Sequence, residues 1–510
     1  MCSLGIPAQQ SARSATSDGA VVPSDLQNQQ EEVSMKSKFS IASVLAASVV
    51  AGALTVASAP AVSKDIVLNM AGPDWGPTRF LQEYFNKTYK AKSGNNVKLV
   101  FDFIPWPSFY DRVAASLTSG EKKYQMIISD SQWIGTFIEG GHFMKLNKYI
   151  DADPELQAIM KDIHPAMTEN YSTYPHKSKN YYGFPQFPDT KVTWFRNDLF
   201  CHEGERADFK AKFDQVLPCS YDEWKNTDWD VWANVGKFFR RDKGAKLGDG
   251  VAENDFYGVA YQAGKVGDFS SMQILAFIWQ HGGDIWDEAN APNAQAEGVV
   301  NSAAAVEGFQ HYLDILKYAP PVHKTGQMGI FAIQELFMQG KVAAIIDWAG
   351  VAPPALDPKV SKYADKTGFA MTPGLRKSDG SIDRTDNIGG QPFVLTTWNS
   401  EEVTKEALEV VKWWMSKDVQ IEFSKNGGEP GLMSVMNMPE YNDFLPWNRA
   451  HAELLQYQKD VWHTPEMFEM LTQQQEEFDK AITGQKTAKE AMDAIAKFQQ
   501  ELLVEVGKIK

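Results

Sequence analysis

The chain is predicted to fold as an α/β protein, and two patterns in it say so. Strand-length apolar runs alternate with segments whose apolar residues recur at helical spacing, the signature of strands linked through helices in a largely parallel sheet. The chain also has 510 residues. A single core stops growing at roughly 250–300 residues, so more than one domain is expected.

The first strand is read at DIVLNM, residues 65–70. The turn at residues 72–77 places Pro at a first helical position. Phe80, Leu81, Tyr84, Phe85 and Tyr89 then share one helical face, and Gly94 is the expected stop. Val97, Leu99, Phe101 and Phe103 alternate as a second strand, and residues 124–130 form a third. GFPQFPDT, residues 183–190, reads as a Pro-punctuated connection into a strand at 191–195. VAAII, residues 342–346, is a buried strand that stops at Asp347-Trp348-Ala349-Gly350. There the indole either plugs the end of a core or stands at the rim of a cleft. A further strand starts at Gly389. Ser400 caps the next helix, with Glu401 and Glu402 in its first turn and Val403, Ala407, Val411 and Trp414 as its buried stripe. Thr487 and Glu490 make a capping box for the last helix. Trp224, Trp229, Trp232, Trp413 and Trp414 are assigned to helix packing.

MKSKFSIASVLAASVVAGALTVASAPA, starting at Met35, has a basic start, a long uncharged stretch and small-x-small sites. Residues 35–61 are therefore read as a signal peptide and the mature protein as periplasmic. Residues 1–34 fit no role and read as a leader of doubtful status, from a start assigned too early. Two cysteines remain in the mature chain, Cys201 and Cys219, and an even count in an exported protein favours a disulfide. Against 50 Lys and Arg stand 65 Asp and Glu, with no basic stripe, which argues against nucleic acid as a partner. There is no GxGxxG after a strand, no phosphate loop, no HExxH and no GxSxG, and the nine His lack metal spacing. No cofactor or metal is expected.

Five stretches in this order resemble the family 1 extracellular solute-binding proteins of carbohydrate ABC importers. They are residues 108–150, with YQMIISDSQWIGTFIEGGHFMKLNKYI at their end; YGFPQFPDTKVTWFRNDLF (182–200); FMQGKVAAIIDWAG (337–350); IGGQPFVLTTWNSEEVTKEALEVVKWW (388–414); and NGGEPGLMSV (426–435). The resemblance implies the type II periplasmic-binding fold, two α/β lobes closing on a ligand. Lobe 1 would hold residues 62–187 and 391–450, and lobe 2 residues 188–390 and 451–510. It also implies binding without catalysis, and delivery by a monomer to transmembrane permease subunits served by a separate ATPase.

A sugar or polyol is the expected ligand, since C–H faces suit indoles and hydroxyls suit carboxylates and amides. The candidate residues are Trp75, Trp106, Asp130, Ser131, Trp133, Asp189, Phe195, Asp347, Trp348, Gln391 and Glu429. Trp133, Phe195 and Trp348 match aromatic positions of sugar-binding relatives. Trp75 and Trp106 rest on lying just after strand ends, and core or loop packing stays open for them. Asp130 and Asp189 are open as cap or turn residues. On this reading the Trp348 indole is removable at little cost to the unliganded fold. A polyamine would also suit acids and aromatics, and a secreted glycoside hydrolase is a third, weaker alternative.

Overall fold

The computed structural model describes residues 63–265, 267–287 and 294–510; the leader and signal-peptide readings lie outside them. Nine strands build two sheets among the described residues: β1 (Asp65–Pro73), β2 (Asn96–Ile104), β3 (Met126–Ile128), β4 (Gly183–Asp189), β5 (Lys191–Arg196), β6 (Tyr257–Ala260), β7 (Val342–Trp348), β8 (Thr367–Ala370) and β9 (Gly389–Leu395). The first sheet runs β2-β1-β3-β9-β4 and the second β8-β5-β7-β6.

The sheets are mixed, which corrects the expectation of a largely parallel one. β1 pairs in parallel with β2 and β3, and β6 with β7. β9 runs antiparallel to β3 and β4, and β5 antiparallel to β7 and β8. Parallel neighbours need a long crossover, usually through a helix. The chain instead leaves the first sheet through β4, enters the second one residue later as β5, and returns as β9. Those crossing strands have no helix to restore direction. Residues 183–190 were expected to be a connection, yet Gly183–Asp189 is a strand. It lies at the edge of its sheet, where Pro185 and Pro188 are tolerated, and the pairing shifts register between Gln391 and Pro392.

Local signals are realised closely. Helix α1 (Gly76–Thr88) has Pro in its first turn and buries Leu81 and Phe85. It stops earlier than Gly94, at Tyr89, whose extended backbone breaks it and whose ring stacks on Phe85 at 4.5 Å. In α2 (Phe109–Thr118), Phe109 and Val113 are fully buried. Helix α3 (Phe269–Gln280) is buried over nearly its whole length, and α4 (Ile330–Met338) packs on β7. Ser400 caps α5 (Glu401–Trp414) by accepting from the Val403 amide, and Trp414 is wholly buried, its Nε1 donating to the Gln186 carbonyl at 2.9 Å. The Thr487–Glu490 capping box opens α6 (Ala488–Glu505). Trp224, Trp229 and Trp232 are buried as assigned.

Cys201 and Cys219 are bonded, with Cα atoms 5.0 Å apart. Closing a loop of 18 residues restricts the unfolded chain and should stabilise by about 3 kcal/mol in the chain-entropy model. Urea unfolding of the Cys201→Ser/Cys219→Ser variant is expected to show a loss of that order. An unchanged midpoint would mean that the bridge constrains nothing the fold does not already hold.

Candidate tryptophan-lined binding cleft

The carboxyl ends of β1, β2 and β3 lead into Trp75, Trp106 and Asp130-Ser131-Gln132, and these surround a hollow closed from the second sheet by Trp348 and the start of α3. Its non-atom space, mouth included, is about 620 Å³. Trp75 and Trp106 stack with ring centroids 5.0 Å apart and planes 19° from parallel. Trp106 in turn stacks on Trp133 at 6.0 Å. Trp133 is nearly buried against Phe109 and Tyr110 and backs this column. It lines an adjoining hollow that shares Trp106, Asp130, Gln132 and Asp268 with the first.

Trp348 answers the question of core or rim by doing both. The residue is only 8% exposed, yet it lines the cleft. The Gly389 backbone lies flat against it: a Cβ there would fall 2.5 Å from the indole. The buried ammonium of Lys191 sits 5.3 Å from the ring centre, donating to the Met272 carbonyl at 2.6 Å and paired with Asp386 at 2.5 Å. The platform is therefore fixed from below and from the side.

The polar groups come from both lobes. Asp130 accepts from the Gln132 amide at 3.0 Å, and Gln132 Nε2 donates across the cleft to Asp268 at 3.0 Å. Asp189, where β4 ends, accepts from the Gly350 amide at 3.1 Å. Burial drives the Asp130 and Asp189 carboxyls well above their usual range, and raises Asp268 too. Neighbouring acids reinforce this: Asp268 and Asp460 on Asp130, and Asp347 on Asp189. Gln391 Oε1 and Trp75 Nε1 are buried without a partner among the described residues. None of the described residues lining this hollow is Lys, Arg or His.

Seven sequence candidates thus meet at one hollow: Trp75, Trp106, Asp130, Ser131, Asp189, Trp348 and Gln391. Three are placed elsewhere. Asp347 neighbours Trp348 on an extended strand, so it points to the opposite face. There it accepts from Gln262 Nε2 at 3.1 Å and Gln334 Nε2 at 2.9 Å. Phe195 shares a face of β5 with Lys191, but four residues along the strand is about 13 Å. Its ring packs on Trp224 and Phe200 in the core instead. Glu429 is fully buried and accepts from Trp447 Nε1 at 2.9 Å. Gly350 does not open space for a ligand. A Cβ there would lie 1.9 Å from the Phe187 ring and 2.9 Å from Asp189 Oδ2, so the glycine lets the two lobes' strands meet. Gln132, Asp268, Met272, Ile330 and Phe331 line the hollow without having been read as candidates. Only Gln132, beside Asp130, had a sequence signal.

The family model for bacterial extracellular solute-binding proteins matches residues 73–421. No curated protein matches the chain. Among solved structures, the chain is similar to a solute-binding protein of an ABC transporter from Agrobacterium radiobacter in complex with ribitol, at 19% identity and TM-score 0.66, covering 86% of this chain and 98% of that one. It is similar to a maltose-bound protein of T. maritima at 18% identity and TM-score 0.65, covering 86% and 100%. A protein from Agrobacterium vitis with bound D-mannitol matches at 17% identity and TM-score 0.63, covering 87% and 99%. These likenesses establish the two-lobed fold, and with the family match over most of the described residues the chain belongs to the bacterial extracellular solute-binding proteins.

Proposed function

We propose that the protein is the substrate-binding component of an ABC importer and holds a neutral sugar or polyol between its lobes. The observation that carries this is the lining of the cleft: three indoles with carboxylates and amides, and no cation among the described lining residues. Indole faces pack against C–H surfaces, while carboxyls and amides take and give hydrogen bonds to hydroxyls. The ligands of the three similar structures are of this kind. The lobes close on the ligand, the Gln132–Asp268 contact being one made across the closed cleft. The closed form then docks as a monomer on transmembrane permease subunits, with a separate ATPase driving import. Export through the signal peptide starting at Met35 places it in the periplasm. The division we assign gives lobe 1 residues 63–189 and 389–447 and lobe 2 residues 191–388 and 448–510; the membership of the two sheets supports it.

The run of carboxyls favours a polyamine as the second reading. Burial raises all three, however, which keeps them closer to neutral and better suited to hydroxyls than to a cation. A thermal-shift screen of residues 62–510 separates the two. A ligand at 100 times its dissociation constant adds about 2.7 kcal/mol of stability. Shifts with sugars or polyols and none with spermidine are expected; the reverse pattern overturns the reading.

A further inference from the structure

A second hollow, with about 560 Å³ of non-atom space, opens where residues 169–170 and 176–177 meet residues 284–287 and 458–463. It shares no lining residue with the tryptophan cleft. The two are linked through backbone, Ile388 donating its amide to the Lys459 carbonyl at 2.8 Å.

Its charged groups already have partners. Lys459 reaches both oxygens of Asp284, at 3.1 and 3.2 Å. Lys177 lies 3.6 Å from Glu169 and 3.7 Å from Asp287. Asp460 accepts from the Val461 amide at 2.8 Å and from His463 Nε2 at 3.2 Å. What is left over is neutral. The indole Nε1 atoms of Trp286 and Trp462, the Nδ1 of His463 and the Oε1 of Gln458 are buried with no hydrogen-bond partner among the described residues. Trp286, Trp462 and His463 are 1%, 3% and 1% exposed, so bulk water does not serve them. A carboxylate only accepts, so the His463 Nε2 that faces Asp460 carries a proton. The unmet set is thus two indole donors, the Gln458 Oε1 acceptor and the second ring nitrogen of His463, on residues from separate stretches of chain. Buried polar groups left unpaired are destabilising, and native structures rarely keep several together.

We propose that this hollow is a second binding site, separate from the transport cleft, for a small neutral polyhydroxylated molecule. A hydroxyl both gives and takes a hydrogen bond, so a polyol or sugar unit can satisfy donors and acceptors alike. An anion would leave the Gln458 Oε1 acceptor unmet, and a cation the two indoles. The hollow shares none of the cleft's lining residues, although Asp460 on its wall acts electrostatically on Asp130 in the cleft.

The test is calorimetric titration of the full mature chain with ribitol, D-mannitol and maltose as probes, in the wild type and in Trp348→Ala. With at least one probe, a saturable event is expected that survives Trp348→Ala. It should weaken at least about tenfold, the equivalent of 1.4 kcal/mol, in Trp286→Phe/Trp462→Phe, which keeps the rings and removes both N–H donors. Gln458→Met, at a half-buried position, provides the same reading if the double variant does not fold. No event outside the cleft with any probe overturns the proposal, and so does a residual event that both variants leave unchanged.

Discussion

Replacing Trp348 with Ala is expected to lower affinity for the transported sugar or polyol by about 2–4 kcal/mol, roughly 30- to 1000-fold, as for a buried aromatic anchor at the centre of a site. The ring does two jobs, so the same substitution should also cost the unliganded protein about 3 kcal/mol, the usual order for emptying a covered aromatic site. This revises the sequence expectation of a freely removable indole. That expectation assumed an exposed rim, whereas the residue is 8% exposed, and its ring lies against Gly389 and sits over Lys191. Trp348→Phe separates the two effects, since it keeps most of the packing with a smaller platform. Titration calorimetry beside urea unfolding reads both. A stability loss with unchanged affinity would make the indole core packing alone.

Asp347→Asn should flatten the dependence of stability on pH. Burial pushes the Asp347 carboxyl up to about 7, against the lowering influence of the Gln334 amide, the Trp348 N–H and Lys191. Its unfolded value is about 3.9. Between those values the native state binds more protons than the unfolded chain, so stability is greatest on the acid side and falls as pH rises from about 4 to about 7. At about 1.4 kcal/mol per pKa unit, this one group accounts for at most about 4 kcal/mol. Asp130, Asp189, Asp268, Asp386 and Glu429 are shifted in the same direction and add to the slope. Urea midpoints at about pH 5 and about pH 8 should therefore differ less in Asp347→Asn than in the wild type. An equal difference in both proteins would mean that Asp347 is ionised in the native state across this range.

What the sequence made legible was what neighbouring residues decide. The Ser400 cap, the Thr487–Glu490 capping box and the start of β9 depend on contacts within a few residues, and each is where the pattern put it. The indoles after strand ends were legible too, because strands of an α/β sheet deliver their following residues to the cleft. The failures share a cause. Asp347 was grouped with Trp348 although successive strand residues face opposite ways. Phe195 lay on the right face but too far along it. Glu429 sat in a loop whose partner, Trp447, no local pattern names. Asp268, Ile330 and Phe331 reach the cleft only because the chain crosses between the sheets and returns, which is a property of topology and not of spacing.

The central claim is that a neutral polyhydroxylated solute, and not a cation, fills the cleft between Trp348 and the Trp75–Trp106 pair. Calorimetric titration of residues 62–510 with ribitol, D-mannitol, maltose and spermidine at about pH 5 and about pH 8 is the test. Saturable binding of at least one sugar or polyol is expected, with affinity nearly independent of pH, and none of spermidine. Binding of spermidine that strengthens as pH rises and the buried carboxyls ionise, with no sugar or polyol bound, would contradict it.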